Sequence, residues 1–150
     1  MDAITLLKTD HEKVAGIFEQ LEPTTERAVK TREELFTKLK QELDVHAHIE
    51  EAIFYPVLKQ EAETREITLE GIEEHHVIKM LLKELEGMQA DSEQWAAKLK
   101  VLKENVEHHV EEEESDMFKG AREVLSKEQL ESLGARMEAA KKEQKAAAAG

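Results

Sequence analysis

The sequence predicts an all-α protein: an antiparallel up-down-up-down four-helix bundle followed by a C-terminal helical extension. Three observations carry that expectation. The 150-residue chain is rich in Leu, Glu, Lys and Ala, with 40% hydrophobic, 37% charged and only 4% aromatic residues, the composition of long amphipathic helices. Apolar residues recur at alternating spacings of three and four, and no stretch alternates residue by residue as a half-buried strand would. Breakpoints are few, with 2 Pro and 6 Gly in the whole chain. A chain of this length is one domain by size and can bury a real core.

The first helix is expected over about residues 3–22, closed by Pro23-Thr24-Thr25, because Pro cannot continue a helix interior. Thr31-Arg32-Glu33-Glu34 has capping-box spacing and predicts a second helix running toward Lys59, with a kink or early end at Pro56. The polar stretch Glu61–Arg65 separates it from a third helix over about residues 67–86, which ends near Gly87. Asp91-Ser92-Glu93-Gln94 opens a fourth, running to about Lys119-Gly120. Ser126-Lys127-Glu128-Gln129 caps a fifth segment. Its end, residues 139–150, is Ala/Lys/Glu low complexity and is expected to fray without a core role. The chain therefore divides into a bundle over residues 1–122 and a C-terminal helix with an Ala-rich tail over 123–150.

Composition also excludes function classes. With 21 Lys+Arg against 34 Asp+Glu, the formal net charge is −13, which argues against binding nucleic acid or an anionic membrane. The absence of Cys removes disulfide scaffolds, Cys-zinc sites, iron–sulfur clusters and thiol nucleophiles. Met1-Asp2-Ala3-Ile4 has no basic start and no long apolar stretch follows, so the cytoplasm is the expected compartment.

The apolar seams are interrupted in a patterned way. The first helix gives Ile4, Leu7, His11, Val14, Phe18 and Leu21; the second gives Leu39, Leu43, His46, Glu50, Ile53 and Val57. The third gives His75, Ile78, Leu82 and Leu85; the fourth gives Trp95, Leu99, Leu102, Val106, His109 and Glu113. Each helix thus places a histidine in its seam, and two add a carboxylate one turn later on the same face. The chain also repeats itself. Asp10-His11 parallels Glu74-His75, and His46…Glu50-Glu51…Phe54 parallels His109…Glu113-Glu114…Phe118. His11 to His46 is 35 residues and His75 to His109 is 34, which implies a pseudo-two-fold bundle with its polar groups at one level. The phenylalanine offset differs by one residue between the halves, so the fourth helix is expected to be irregular there.

A lone core histidine is more often a satisfied structural residue than a ligand. Four histidines and two glutamates converging are different. Each buried carboxylate costs several kcal/mol without compensation, each unsatisfied imidazole about 1–3 kcal/mol, and total stability is only about 5–15 kcal/mol. The six are therefore read as metal ligands: His11, His46, Glu50, His75, His109 and Glu113. Imidazole and carboxylate suit iron, manganese or zinc rather than copper(I). Six protein ligands exceed what one ion needs but fit two ions about 3.5–4 Å apart, with Glu50 and Glu113 bridging. Iron leads, because open positions and redox chemistry are expected and zinc needs fewer ligands.

The sequence resembles the hemerythrin-like, HHE cation-binding family. The resemblance is carried by Asp10-His11, His46-Ala47-His48-Ile49-Glu50-Glu51-Ala52-Ile53-Phe54-Tyr55-Pro56, Glu74-His75 and His109-Val110-Glu111-Glu112-Glu113-Glu114, spanning about residues 4–120. It implies a four-helix bundle holding two non-haem iron ions, oxo- or hydroxo-bridged. His11, His46, His75 and His109 match the family's histidine ligands, and Glu50 and Glu113 its bridging carboxylates. Two positions depart from the oxygen-carrying hemerythrins: Lys79 stands where they have a further histidine, and His109 leads to Glu113 where they end His-x-x-x-x-Asp. A pair less saturated by protein is more open to peroxide, nitric oxide or water.

Other polar residues near the seams have blander expectations. His48 is about 200° round the helix from His46 and is expected in solvent. His76 and His108 flank the seam and are expected near the surface, with a fifth imidazole as the alternative. Glu51 and Glu114 either hydrogen-bond ligand imidazoles or are solvated. Tyr55, the only tyrosine, is expected to pack on the helix surface, with a redox role as the alternative. The functional expectation is a di-iron protein whose partner is a small diatomic or peroxide ligand, with no nucleic acid and no membrane. An iron store or donor, and a metal-free acidic interaction module, are the alternatives.

Overall fold

The computed structural model describes residues 1–149, and every regular element among them is a helix. Helix α1 (Ala3–Leu21) starts where the Asp2 carboxylate accepts the Thr5 backbone N–H at 2.8 Å. α2 (Val29–Ile49) continues through a π-helical turn (Glu50–Phe54) into α3 (Tyr55–Gln60). α4 (Ala62–Glu86) returns, and α5 (Glu93–Glu112) runs through a second π-helical turn (Glu113–Met117) into α6 (Phe118–Val124). α7 (Lys127–Ala149) follows. The four bundle helices are thus α1, α2–α3, α4 and α5–α6, with α7 packed along α1 and α2 as the extension. No helix among the described residues is long and apolar enough to cross a membrane.

Several expected boundaries shift. α2 begins at Val29, two residues before Thr31, and no side chain caps it. Glu61 alone is extended (φ −94°, ψ 133°), so α4 starts at Ala62 and most of the polar stretch is helix. Pro56 sits in the first turn of α3, where its missing N–H costs least, and the break comes at Glu61 instead. The fourth helix runs on to Val124. Ser126 and Gln129 do form the reciprocal cap: Ser126 N–H donates to Gln129 Oε1 at 2.8 Å, and Gln129 N–H to Ser126 Oγ at 3.1 Å.

The π-helical turns correct the seams. Each inserts one residue after a seam glutamate, so the buried residues following Glu50 are Phe54, Tyr55 and Leu58, while Ile53 and Val57 are only partly buried. After Glu113 they are Met117, Phe118 and Ala121. Both halves therefore carry the same irregularity, not the fourth helix alone, and Tyr55 is the counterpart of Phe118.

The tail also differs from expectation. Leu130, Leu133 and Met137 of α7 are buried. Beyond them Ala140 packs on the core, Lys141 Nζ donates to Asp10, and Lys145 Nζ donates to Glu42 at 3.1 Å. Residues 139–149 are thus helix, docked through Ala140, Lys141 and Lys145, and Gly150 lies outside the described residues.

Two apolar clusters fill the bundle. One is built on Ile4, Leu7, Ile49, Phe54, Leu58, Phe118 and α7; the other on Phe18, Leu21, Leu39, Leu82, Leu85, Trp95 and Leu102. Between them lies one polar layer.

Candidate metal centre

The layer contains His11, His46, Glu50, His75, His109 and Glu113, all buried. The structure thus brings the six residues singled out in the sequence to a single level of the bundle. Within it the imidazoles pair by hairpin: His11 and His46 ring centroids lie 5.0 Å apart, and those of His75 and His109 lie 4.7 Å apart. The carboxylates sit between the pairs. Glu50 Oε1 is 3.0 Å from His46 Nε2 and 3.1 Å from His75 Nε2. Glu113 Oε1 is 2.9 Å from His11 Nε2, and its Oε2 is 3.4 Å from His109 Nε2.

Outside this ring stands a second one. His46 Nδ1 donates to Asp10 at 2.9 Å and His109 Nδ1 to Glu74 at 2.6 Å, each within its own hairpin. His75 Nδ1 donates to Glu51 at 2.8 Å and His11 Nδ1 to Glu114 at 2.6 Å, each across to the other hairpin. The pseudo-two-fold of the sequence is reproduced bond for bond. Each outer carboxylate fixes its imidazole as the Nδ1–H tautomer, which leaves the Nε2 lone pair pointing inward.

The inner ring consequently consists of acceptors facing acceptors. His46 Nε2 and both Glu50 carboxylate oxygens are buried without a hydrogen-bond partner, and His75 Nε2 faces His109 Nε2 at 3.2 Å. Lone pairs at such distances repel unless something positive sits among them. Donor atoms bound about 2.1 Å from one ion at right angles lie about 3 Å apart, so the spacings here suit cations. Besides Glu74, His108 and Glu112, where His108 is exposed, two fully buried groups of side chains have ligand atoms within 4.8 Å of one another: Glu50, His75, His109 and Glu113, and His11, His46 and Glu113. Glu113 belongs to both.

The field favours positive charge here. Burial pushes the His46, His75 and His109 imidazoles down, but Glu50, Glu113 and the outer carboxylates outweigh it, raising His46 well above its usual value and His109 to about 10. Burial raises Glu113, yet the polar groups packed around it, Glu50, His109, His11 and His46, hold it well below the carboxylate range. A raised histidine stabilises the fold below about pH 6.5, its unfolded value, and that contribution is lost as pH rises through the folded value. Chelator-stripped protein should therefore lose thermal stability between about pH 6.5 and about 10, the value raised for His109. Metal-loaded protein, with cations in place of those protons, should not; a stripped protein with a flat profile would contradict the field described.

Tyr55 is the residue that sequence reasoning misplaced. It is buried, donates its hydroxyl to Glu113 Oε2 at 2.5 Å, and stacks on His75 at 5.3 Å between centroids. A Cβ at Gly71 would come 3.2 Å from the Tyr55 hydroxyl, so a glycine there leaves it room. Burial and the Glu113 and Glu50 charges push the phenol well above its ordinary pKa, so it stays a donor. Its counterpart Phe118 stacks on His11 but has no hydroxyl. Asp10 and Glu74 received no role from sequence, although an acid before each first histidine was visible in the repeat. His48, His76 and His108 are exposed, and Lys79 is a surface partner of Glu51 at 3.2 Å, so none supplies a fifth imidazole.

Fold and site together define a class: a four-helix bundle with buried groups of His and Glu that could hold metal ions. The chain belongs to the Hemerythrin HHE cation binding domain family, whose model matches residues 2–121. Its fold is similar to the crystal structure of a Hemerythrin HHE cation binding domain-containing protein from Mycobacterium kansasii, with a TM-score of 0.87 and 26% identity, covering 99% of this chain and 90% of that one. It is also 28% identical over 144 residues to a DNA nickase from Nostoc sp., covering 94% of this chain but only 39% of that protein's length.

Proposed function

We propose that this is a non-haem di-iron protein that binds or reacts with a small oxygen or nitrogen species: dioxygen, peroxide or nitric oxide. The buried ring carries the reading, because its unpartnered nitrogen and carboxylate atoms need positive charge among them, which metal ions would supply. His11 and His46 would hold one ion, His75 and His109 the other, with Glu50 and Glu113 shared between them. Iron bound to such nitrogen and oxygen donors supplies redox change and open coordination positions.

The protein's own groups shape what can react. Next to the four imidazoles is a cavity of about 20 Å³, walled by Val14, Leu43, Ile78, Leu82 and Val106. That is room for one water-sized molecule, since a water needs about 10–15 Å³ by the same measure. Asp44 and Lys79 also border it, and its size would limit an occupant to a water, a diatomic molecule or a species little larger. The outer carboxylates lock the imidazole tautomers, and Tyr55 holds a proton against Glu113.

The relative's nickase activity is not carried over. It belongs to a protein of which this chain matches 39%, and a net charge of −13 opposes binding a polyanion.

Metal analysis and optical spectra of protein purified aerobically test the proposal. About two irons per chain, with a spectrum that changes on adding peroxide or nitric oxide, is the expected result. Zinc alone, or iron whose spectrum neither reagent alters, would overturn it. Tyr55→Phe should keep both irons yet slow the reaction with peroxide by about tenfold or more, because the chain's single phenol is its proton donor at Glu113. An unchanged rate would remove Tyr55 from the chemistry.

A further inference from the structure

We infer that the C-terminal helix is a working part of the metal centre: Lys141 of α7, acting through Asp10, positions His46 and makes the two metal positions inequivalent. The inference rests on the reading above that His46 holds a metal ion. Asp10 is only 2% exposed and is shared between two donors. Its Oδ2 accepts His46 Nδ1–H at 2.9 Å, and its Oδ1 accepts Lys141 Nζ. A chain of three side chains therefore links a residue of α7 to an imidazole nitrogen whose opposite atom faces the centre.

Under the pseudo-two-fold, the lysine behind Asp10 has no counterpart behind Glu74 among the described residues. Asp10 corresponds to Glu74, which accepts His109 Nδ1–H at 2.6 Å. Glu74 has a quarter of its side chain exposed, its other basic neighbour is the exposed His108 at 3.8 Å, and no Lys or Arg pairs with it among the described residues. Lys79 and Glu51 form a similar link to His75, but Lys79 is 49% exposed and water competes for it. The two imidazole pairs are alike; the groups behind them are not.

The sequence of α7 is built to hold this contact. Gly134 lies against the start of α1, where a Cβ would fall 2.2 Å from Met1 O and 2.7 Å from Asp2 C, a distance no side chain tolerates. Met137 is buried one turn on, Lys141 follows at the next turn, and Lys145 ties to Glu42 after that. Spacings of three, four and four put these residues on one face. That face lies beyond residues 2–121, the span the family model matches. Without the Lys141 ammonium the buried Asp10 carboxylate must recruit water or a proton, or turn away, and each outcome loosens the bond that orients His46.

Iron release from full-length, iron-loaded protein to an excess of a strong chelator tests this, with circular dichroism confirming that each variant is helical. In Lys141→Met one of the two irons should leave about tenfold faster and the other at the wild-type rate. Lys141→Arg should restore the slow phase. Gly134→Val, which removes no charge but lifts α7, should reproduce the fast one. Asp10→Asn should show the same fast phase, and Lys141→Met added to it should change nothing further. Two irons leaving Lys141→Met at wild-type rates, or equal acceleration of both, would overturn this inference alone. Should Lys141→Met not fold, a wild-type release profile in Asp10→Asn overturns it equally. Wild-type protein that holds no iron would overturn the metal reading as well.

Discussion

Replacing Glu113 by Ala should abolish loading of the metal pair. Glu113 turns one oxygen toward each imidazole pair, Oε1 at 2.9 Å from His11 and Oε2 at 3.4 Å from His109. It belongs to both fully buried groups of side chains that could hold an ion. Its loss removes a shared ligand and leaves the Tyr55 hydroxyl without its acceptor. Metal content is expected to fall from about two ions per chain to about a tenth of that or less, since ligand set and affinity are directly linked. Glu50→Ala should act alike, because Glu50 Oε1 lies 3.0 Å from His46 and 3.1 Å from His75. His48→Ala, two residues from His46 but exposed, should load normally. Elemental analysis of the three variants checks this; equal loading in all of them would mean that the buried ring is not where metal binds.

Stripping the metal should destabilise the fold strongly. Glu50 is buried with neither carboxylate oxygen hydrogen-bonded, and His46 Nε2 shares that condition. An uncompensated buried charge of this kind costs about 3–5 kcal/mol. For a chain of this size each kcal/mol shifts Tm by about 2–4 °C, so chelation should lower Tm by on the order of 10–15 °C. Calorimetry of loaded and stripped protein at neutral pH reads the difference directly. Indistinguishable transitions would favour a metal-free interaction module, in which protons on the imidazoles satisfy the ring without help. The drop should widen above neutrality, where the imidazole protons of the stripped protein are progressively lost.

Much of this architecture was legible before any coordinates. The three-and-four spacing of apolar residues marks the four helices, and the intervals of 35 and 34 residues between paired histidines put the polar groups at one level. Tyr55 was illegible for a definite reason. Five residues beyond Glu50 on a regular helix it points about 140° away from the seam; the π-helical turn rotates it back inward. A one-residue insertion leaves no trace in an apolar pattern until the side chains after it are seen, which is also why Ile53 and Val57 were expected where Phe54 and Leu58 lie.

The outer carboxylates were half legible. The repeat displays Asp10 before His11 and Glu74 before His75, yet neither acid serves the histidine beside it. Adjacent residues on a helix face different neighbours, so each acid reaches the histidine of the next helix. Lys141 was hidden more deeply. Its surroundings in sequence are mostly Ala, Lys and Glu, a composition that says solvent, and the close approach of Gly134 to α1 and the burial of Leu130, Leu133 and Met137 turn that face inward.

The most direct test of the account is anomalous diffraction at the iron edge from crystals of aerobically purified protein. Two iron peaks should lie inside the bundle, one against His11 and His46 and one against His75 and His109, with Glu50 and Glu113 between them. A structure with the six side chains well ordered and no anomalous peak among them would contradict it.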